Sequence, residues 1–355
     1  MIKLSITFLL IIFQFNLKSQ VVARYYEYIN EAEMAFYNGD LPTAQAAYKN
    51  AFTLKDAPQF ASNLYNYGYI SILLKDYRQS YLSFKKVIEL GLSTNRFKNN
   101  KDSIIKIFLA AKEGKQFLKE IDSYTLDVGI DKALRAKMYR LTQMDRKYRL
   151  KENGYTAYRD SMTITDHAVV DSLLEIFKEY KGIPTERKIG IDTFDIISPI
   201  YFYLLVHQSE GTNSRKYDFS EYIKEAVRNG NINNSVAADL LERANSTFKL
   251  GGLNFQVLEY DSLGKSKLGF EHNYANLPRE NFCVGFGTIK GNTEQEINDR
   301  RTALYLPTLK QRLKMFEAQM LNQKHNLPLS FFVVQHFIIP KKEDFDHWCN
   351  QLNKF

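Results

Sequence analysis

Cysteine and tryptophan are nearly absent from this 355-residue chain, which contains two cysteines and one tryptophan. Two cysteines are too few for a disulfide framework, and neither shows the Cys-x-x-Cys or Cys/His spacing of a structural zinc site. Cys283 and Cys349 either pair in an oxidising compartment or remain two buried thiols, and the spacing alone leaves both alternatives open. The chain must therefore be stabilised mainly by its apolar cores.

A strong excess of charge of one sign is also missing. The formal net charge is +8, and without Lys3 and Lys18 of the N-terminal segment it is 8 minus 2, or +6. The densest basic run, residues 135–151, also contains Asp145 and an apolar stripe at helical spacing, which is typical of a solvated helix face. We therefore predict no nucleic-acid partner. With 45% hydrophobic and 14% aromatic residues, the chain is long enough to form two folded domains.

No apolar run is long enough to span a membrane. The longest near the N-terminus extends from Leu4 to Phe15, about 18 Å as a helix against about 30 Å for a hydrocarbon core. One lysine precedes this run, and a polar stretch with Ser19 follows it. This layout predicts a signal peptide at residues 1–19 and an exported, periplasmic or secreted protein, with a membrane contact only if the segment stays uncleaved.

The common catalytic and cofactor motifs are missing as well. No serine lies in Gly-x-Ser-x-Gly, and the glycines at 285 and 287 are not followed by the lysine and serine of a phosphate loop. The histidines are scattered singly, and none shows the His-x-x-x-His spacing that places two imidazoles on one helical face. We predict neither a metal site nor a cofactor.

What the sequence does contain is an internal repeat of 36 residues near its N-terminus. The first copy contains Ala32, Gly39, Leu41, Ala44, Tyr48, Ala51 and Leu54. The second copy contains Gly68, Lys75, Tyr77, Ser80, Phe84, Val87 and Leu90. Small residues at these spacings allow two helices to cross closely, and the large residues fill the space between them.

This pattern resembles the tetratricopeptide repeat over residues 25–95. The resemblance implies two antiparallel helix pairs, and with a capping helix they form a predicted module at residues 21–126. Two repeats are fewer than a free-standing array needs, so we expect this module to pack against the following domain. Its inner face suggests a protein or peptide partner, with Tyr28, Tyr65 and Tyr69 as candidate contacts, although aromatics at such positions also pack between helices.

The rest of the chain predicts a mostly helical domain at residues 127–321 and a C-terminal tail at 322–355. Gly114 interrupts a capping helix at 103–124, and Thr165 or Asp166 is the expected N-cap of a helix that ends at Tyr180. Further segments complete a mostly α fold with a few short strands: helices at 130–152, 199–207, 219–228, 235–250 and 294–322, a buried strand or core segment at 331–339 and a short helix ending at 355. Gly251 and Gly252 are expected to close the 235–250 helix. The short runs at 255–260 and 282–286 indicate irregular loops or a short hairpin.

From residue 141 to about 316 the chain also resembles a bacterial domain of unknown function that is often found in exported proteins. The residues that carry this resemblance are Met144-Asp145 with Arg149, Asp166 with Gly182-Ile183-Pro184 and Gly190, His207-Gln208, Ala238 with Glu242-Arg243, and Asn298-Asp299-Arg300-Arg301 with Leu304 and Leu306-Pro307. The chain departs from that family in the order of the His207-Gln208 pair and at Tyr305, where a glycine is usual. The resemblance implies no known reaction.

The polar residues of the second domain, read by their chemistry, suggest a candidate pocket formed by Asp145, His207, Gln208, Glu210, Arg243, Arg300 and Arg301. His207 could act as a general base with Glu210 on the same helical face, or it could close the end of its helix. Arg300 or Arg301 could bind a carboxylate or phosphate, or form a structural ion pair with Glu242 or Asp145. A ligand pocket would bring His207 within about 5 Å of Arg300 or Arg301 and of an acid in one concave, solvent-reachable pocket, whereas side chains on separate faces would leave the enzyme hypothesis without support.

Two functions follow as hypotheses. The first is an exported scaffold that binds a protein or peptide partner through its helix hairpins and has a second domain of unknown activity. The alternative is a hydrolase or other small-molecule enzyme with a pocket in the second domain.

Overall fold

The structure is a computed structural model that describes residues 2–192, 199–210, 217–244, 250, 255–260, 281–286, 292–321 and 334–352. These residues are mostly helical with three short strands, which confirms the predicted fold class. The predicted closure of the 235–250 helix by Gly251 and Gly252 lies outside the described residues.

Two helix hairpins open the fold, as the repeat predicts. Their four helices are α1 (Ile2–Tyr37), α2 (Leu41–Thr53), α3 (Ala61–Leu73) and α4 (Tyr77–Glu89). α1 is longer than expected, because the segment predicted as a signal peptide continues without a break into the first helix of the hairpin. No helix within the described residues is both long and apolar enough to cross a membrane.

The turns of the two hairpins have the same geometry. Gly39 has a positive φ of 82°, and its counterpart Lys75 adopts the same left-handed conformation at φ 61°. Each turn is followed by an aspartate that caps the next helix: Asp40 accepts from the amide of Thr43, and Asp76 accepts from that of Gln79. The two turns therefore have the same backbone conformation, although the second copy of the repeat has Lys75 in place of the glycine.

Small residues lie where these helices cross. Ala44 and Ala51 of α2 are fully buried in the core that α2 shares with α1. In the second hairpin, a Cβ added to Gly68 would meet the Phe84 ring at 2.7 Å, so only glycine allows this approach. The prediction that small residues lie where the helices cross is confirmed. The tetratricopeptide assignment itself remains a resemblance.

The capping element after the hairpins differs from the prediction. It consists of α5 (Asn95–Lys98), α6 (Ser103–Ala110), α7 (Lys112–Glu120) and a 3₁₀ turn (Ile121–Ser123). The break lies at Ala111, whose ψ of 166° is extended, whereas Gly114 lies inside α7. A Cβ at Gly114 would come within 1.9 Å of the Phe108 carbonyl oxygen, so this glycine allows the two helices to pack closely.

The second domain is built from helices that pack on the first hairpin. They are α8 (Lys132–Arg149), α9 (Gly154–Ala157), α10 (Arg159–Glu179), α11 (Glu186–Ile189), α12 (Phe202–Glu210), α13 (Ser220–Arg228), α14 (Asn234–Ala244), α15 (Glu294–Thr302) and α16 (Leu309–Leu321). One apolar core contains residues of α1 and α2 together with residues of α8, α10, α12, α13 and α14. The hairpin module therefore packs against the following domain, as expected for an array of only two repeats.

Two helix boundaries in this domain correct the predictions. α10 begins at Arg159, so Thr165 and Asp166 lie inside the helix and not at its N-cap. The Thr165 hydroxyl instead donates to the carbonyl of Ser161 one turn earlier. The predicted helix at 294–322 is two helices, α15 and α16, and the chain turns between them at Tyr305, which has a positive φ of 56°.

One side of α1 contacts the chain's own second domain. The Tyr26 hydroxyl donates to the carbonyl of Ile232 at 2.9 Å, and its ring stacks on Tyr305 at 5.5 Å. Asn233 donates to the Ser62 hydroxyl at the start of α3. These contacts join the hairpins to the second domain, and they do not involve Tyr28, the partner contact predicted on α1.

Glu186 is the most deeply buried acid at this junction. Its Oε2 accepts the backbone N–H of Ala61 at 2.9 Å and so caps the N-terminus of α3, which has no side-chain cap of its own. Burial raises the pKa of Glu186 from 4.5 to about 7, against the lowering effect of the Ala61 hydrogen bond. A hydrogen bond to the titratable carboxyl group of Glu186 therefore joins the hairpins to the second domain.

A small sheet unit completes the described chain. β1 (Phe255–Tyr260) pairs antiparallel with β2 (Phe282–Phe286) and parallel with β3 (Val334–Ile339), in the order β2-β1-β3, and α17 (Lys342–Gln351) packs on it. Of the two alternatives left for residues 255–260 and 282–286, irregular loops or a short hairpin, the structure shows paired strands. A disulfide joins Cys283 of β2 to Cys349 of α17 across a separation of 66 residues, which resolves the alternative left open by the sequence.

The two hairpin turns provide a matched test of backbone strain. Gly39→Ala should lower the free energy of unfolding by about 1 kcal/mol, because an L-residue is strained in the left-handed region. Lys75→Gly should raise it by about 0.5 kcal/mol, since relief of that strain outweighs the greater freedom of glycine in the unfolded chain. Urea denaturation measures both changes.

The control is Lys49→Gly, the same replacement at an exposed position inside α2. Glycine in a helix interior costs about 1 kcal/mol, so this variant should be destabilised. If Lys75→Gly were destabilised to the same extent as Lys49→Gly, the left-handed geometry at Lys75 would be contradicted.

Glu186 should make the stability of the protein depend on pH. Its folded pKa of about 7 lies above the ordinary 4.5, so its stabilising contribution is complete below pH 4.5 and is lost as the pH rises through 7. Relative to Glu186→Gln, the wild type should lose about 3 kcal/mol of unfolding free energy between those limits. Urea denaturation of both proteins across this pH range measures the difference, and parallel curves for the two would refute it.

Candidate functional site

Three helices of the second domain bring five polar side chains together. α8 contributes Asp145 and Arg149, α10 contributes Asp166, and α12 contributes His207 and Gln208. Asp145, Asp166 and Gln208 are each no more than 2% exposed. Because buried charges are costly unless they are paired, these groups require close mutual contacts. We refer to these five residues as the His207 cluster.

Asp145 and His207 form the centre of this cluster. Nδ1 of His207 lies 2.6 Å from Oδ2 of Asp145, whose side chain is fully buried. An ionised carboxylate can only accept hydrogen bonds, so Nδ1 carries the proton in this pair. In the neutral ring, Nε2 is then left as the proton acceptor. The His207 side chain is 24% exposed, so the ring connects the buried acid to the surface.

Arg149 holds the two aspartates in place. Its Nη2 lies 2.9 Å from both carboxylate oxygens of Asp166, and its Nη1 lies 3.0 Å from Oδ1 of Asp145. Gln208 donates to Oδ1 of Asp166 at 3.3 Å. With a neutral imidazole, two carboxylates and one guanidinium sum to a charge of −1, and a proton on His207 brings the cluster to neutrality.

The sequence explains why these groups point inward. Asp145 continues the buried stripe of Leu134, Met138 and Leu141, one helical turn after Leu141. Asp166 lies in the same way within the buried stripe of Met162, Val169 and Leu173. A carboxylate at a core-facing position of an otherwise apolar stripe needs a partner, and that signal could have identified Asp166 and Arg149 as members of the site.

Of the predicted pocket residues, the structure brings Asp145, His207 and Gln208 together. Glu210 is the last residue of α12, and its side chain lies outside the described part of the chain. Arg243 of α14 pairs with Asp239 one turn earlier, at 2.9 Å. Arg300 donates to the Asn292 side chain at 2.5 Å. The arginine that binds Asp145 is Arg149, which was not among the predicted pocket residues.

Arg301 has a structural role through backbone carbonyl groups, which differs from the ion pair with Glu242 or Asp145 considered as its alternative. It is 3% exposed and donates to the carbonyl oxygens of Pro307 and Leu250 at 2.6 and 2.7 Å. Burial, and secondarily the neighbouring Arg312, lower the pKa of Arg301 to about 9, while the charge of Glu242 opposes this. Arg301 therefore joins the turn after α15 to residue 250.

The tyrosines predicted to contact a partner are mostly inside the fold. Tyr65 and Tyr69 are each 4% exposed in the second apolar core, where the Tyr65 ring lies 5.2 Å from that of Phe84. Tyr28 is partly buried, and the guanidinium of Arg24 lies over its ring at 4.6 Å. Tyr65 and Tyr69 therefore follow the packing alternative and do not form an open binding surface.

The outer edge of the His207 cluster is formed by an aromatic and a basic side chain. Tyr203, one turn before His207 on α12, is 38% exposed, and the centres of the two rings are 6.2 Å apart. The guanidinium of Arg146 lies over the Tyr203 ring at 5.6 Å. Any molecule that reaches Nε2 of His207 therefore comes close to a ring face and a positive charge.

No set of three His, Cys, Asp or Glu side chains within the described ranges is arranged to hold a metal ion. In the His207 cluster, the carboxylates of Asp145 and Asp166 are already bound by Arg149. The arrangement provides an imidazole whose Nδ1 is bound by Asp145 and whose ring is partly open to solvent.

Comparison of the chain with protein-family models, curated proteins and solved structures gives no match. The function is therefore inferred from the geometry of the site alone.

Proposed function

We propose that the second domain carries an acid–base site centred on His207 and that the protein is a hydrolase or another small-molecule enzyme. The observation that supports this most is the 2.6 Å contact between Nδ1 of His207 and the fully buried Asp145. A histidine that is oriented by a buried carboxylate and exposed on its other side has the arrangement expected of a general base.

The surrounding residues have distinct tasks in this proposal. Nε2 of His207 takes a proton from a water molecule as the water oxygen attacks the substrate, and it returns the proton to the leaving group. Asp145 holds the ring and balances the charge of the imidazolium that forms. Arg149, bound to Asp166, also contacts Asp145 and holds its carboxyl group in place. Asp145, Arg149 and Asp166 act here as positioning residues, since they do not face the solvent.

Partner binding through the hairpins is the first function predicted from the sequence, and it remains a prediction. Tyr26 contacts Ile232, and Ser62 contacts Asn233, so the second domain covers these parts of α1 and α3. A protein or peptide partner would therefore have to use surfaces that the second domain leaves open.

We also propose that the protein is exported to the periplasm or secreted. The disulfide between Cys283 and Cys349 supports this, because disulfides persist in oxidising compartments. The N-terminal segment supports it independently through its signal-peptide layout.

Replacement of His207 should abolish the proposed activity. With p-nitrophenyl acetate and p-nitrophenyl phosphate as probes of ester and phosphoester hydrolysis, His207→Gln should lower kcat/KM by at least about 100-fold, the usual contribution of a general base. Asp145→Asn should also lower kcat, because an amide cannot balance the imidazolium.

The control for this experiment is His347→Gln, which replaces an exposed histidine of α17 and should leave the rate unchanged. Urea denaturation of each variant separates loss of activity from loss of folding. If the wild type hydrolyses neither probe above the buffer rate, or if His207→Gln retains full activity, the hydrolase proposal is wrong.

Export predicts a processed and oxidised protein. Protein isolated from the periplasm or the medium should lack residues 1–19 and should react with a thiol reagent only after reduction. N-terminal sequencing and thiol labelling measure the two properties. An intact Met1 together with two reactive thiols in the native protein would contradict export.

A further inference from the structure

A cavity of about 360 Å³ lies between the hairpins and the second domain. Its walls come from α1, the α2–α3 loop, residue 129, α11 with Thr185, and the turn between α13 and α14. This volume is at the lower end of the range of ligand clefts, roughly 300–1,000 Å³. It holds none of the residues of the His207 cluster, so it is a separate site.

The carboxyl group of Glu186 lines this cavity. Its Oε2 is occupied by the Ala61 amide, and within the described chain Oε1 has no hydrogen-bond partner. Oε1 is also not among the fully buried polar atoms that lack a partner, so it has accessible surface. Since the residue as a whole is only 3% exposed and lines the cavity, that surface opens into it.

Basic residues line the same cavity. Arg187 and Lys188 follow Glu186 directly on α11 and are exposed, and Lys18 of α1 joins them. Asp56 is the other acid that lines the cavity, and the nearby Asp127 and Asp131 interact with Arg187 and Lys188. Because Lys18 lies within the predicted signal peptide, only Arg187 and Lys188 are required below.

The remaining wall is apolar and tightly packed. Val22, Ala57, Pro58 and Phe60 line it. A Cβ added to Gly230, which has a φ of +66°, would come within 2.7 Å of Pro58 and 3.0 Å of Val22. The cavity therefore combines a buried carboxyl, exposed cations and an apolar wall.

We propose that this cavity binds a free α-amino acid with an apolar side chain. The ammonium group lies at the open oxygen of Glu186, the carboxylate is bound by Arg187 and Lys188, and the side chain packs on Val22, Ala57 and Phe60. A ligand with both charges matches a site that offers both, whereas a simple anion meets a buried carboxyl and a simple cation meets the basic rim.

Isothermal titration calorimetry with three matched probes tests the proposal on the purified full protein. L-leucine carries both charges, L-leucinamide only the ammonium group, and 4-methylpentanoate only the carboxylate, on one carbon skeleton. L-leucine should bind at least tenfold more tightly than either single-charge probe. L-phenylalanine and L-valine, measured alongside, show whether the apolar wall accepts other side chains.

The variants assign the binding to this cavity. Glu186→Gln, and separately the double variant Arg187→Gln with Lys188→Gln, should each weaken L-leucine binding at least tenfold. Lys137→Gln removes an exposed positive charge on α8 that pairs with Glu175 and should change nothing. Urea denaturation shows whether each variant is folded.

The proposal is overturned if none of the three amino acids binds to the wild type, or if L-leucinamide or 4-methylpentanoate binds as tightly as L-leucine. It is also overturned if Glu186→Gln, shown to be folded, binds L-leucine as the wild type does. None of these outcomes depends on the activity of His207, so this proposal and the hydrolase proposal can fail independently.

Discussion

The packing of α1 against two partners at once is the constraint on which the rest of the structure depends. On one side α1 forms the first hairpin with α2, where Ala44 and Ala51 are fully buried. On another side Tyr26 reaches across to Ile232 and Tyr305 in the second domain. Two repeats expose too much apolar surface to be stable alone, and the shared core removes that surface from water. The chain is thus held together by a helix that belongs to both parts.

This arrangement changes the role that we assign to the repeat. Helix hairpins of this kind are usually read as binding surfaces, because stacked pairs form a concave face. Here two residues of the second domain, Asn233 and Glu186, contact the N-terminal end of α3. The hairpins act first as a scaffold for their own chain, and the polar chemistry lies in the helices that they support.

Two buried carboxylates illustrate how such a fold keeps polar groups in its interior. Asp145 is paired with Arg149 and His207, so its charge is balanced by direct contacts. Glu186 has a single amide donor, and its pKa rises because burial disfavours the charged form. The first environment places an acid in direct contact with an arginine and a histidine, and the second leaves an acid whose charge depends on pH.

The sequence by itself determined the elements that depend on neighbours along the chain. The repeat determined the hairpins and their turns, because its spacing reports local packing and turn geometry. The short apolar runs at 255–260 and 282–286 left a choice between irregular loops and a hairpin. The sequence also identified Asp145, His207 and Gln208 as candidates.

Only the tertiary structure showed that Arg149 and Asp166, and not Arg300 or Arg301, complete that cluster, since residues on different helices are brought together by core packing. The partner of Cys283, the burial of Tyr65 and the cavity beside Glu186 were decided in the same way. Each depends on the distance between segments far apart in sequence, and that distance is set by how the helices pack.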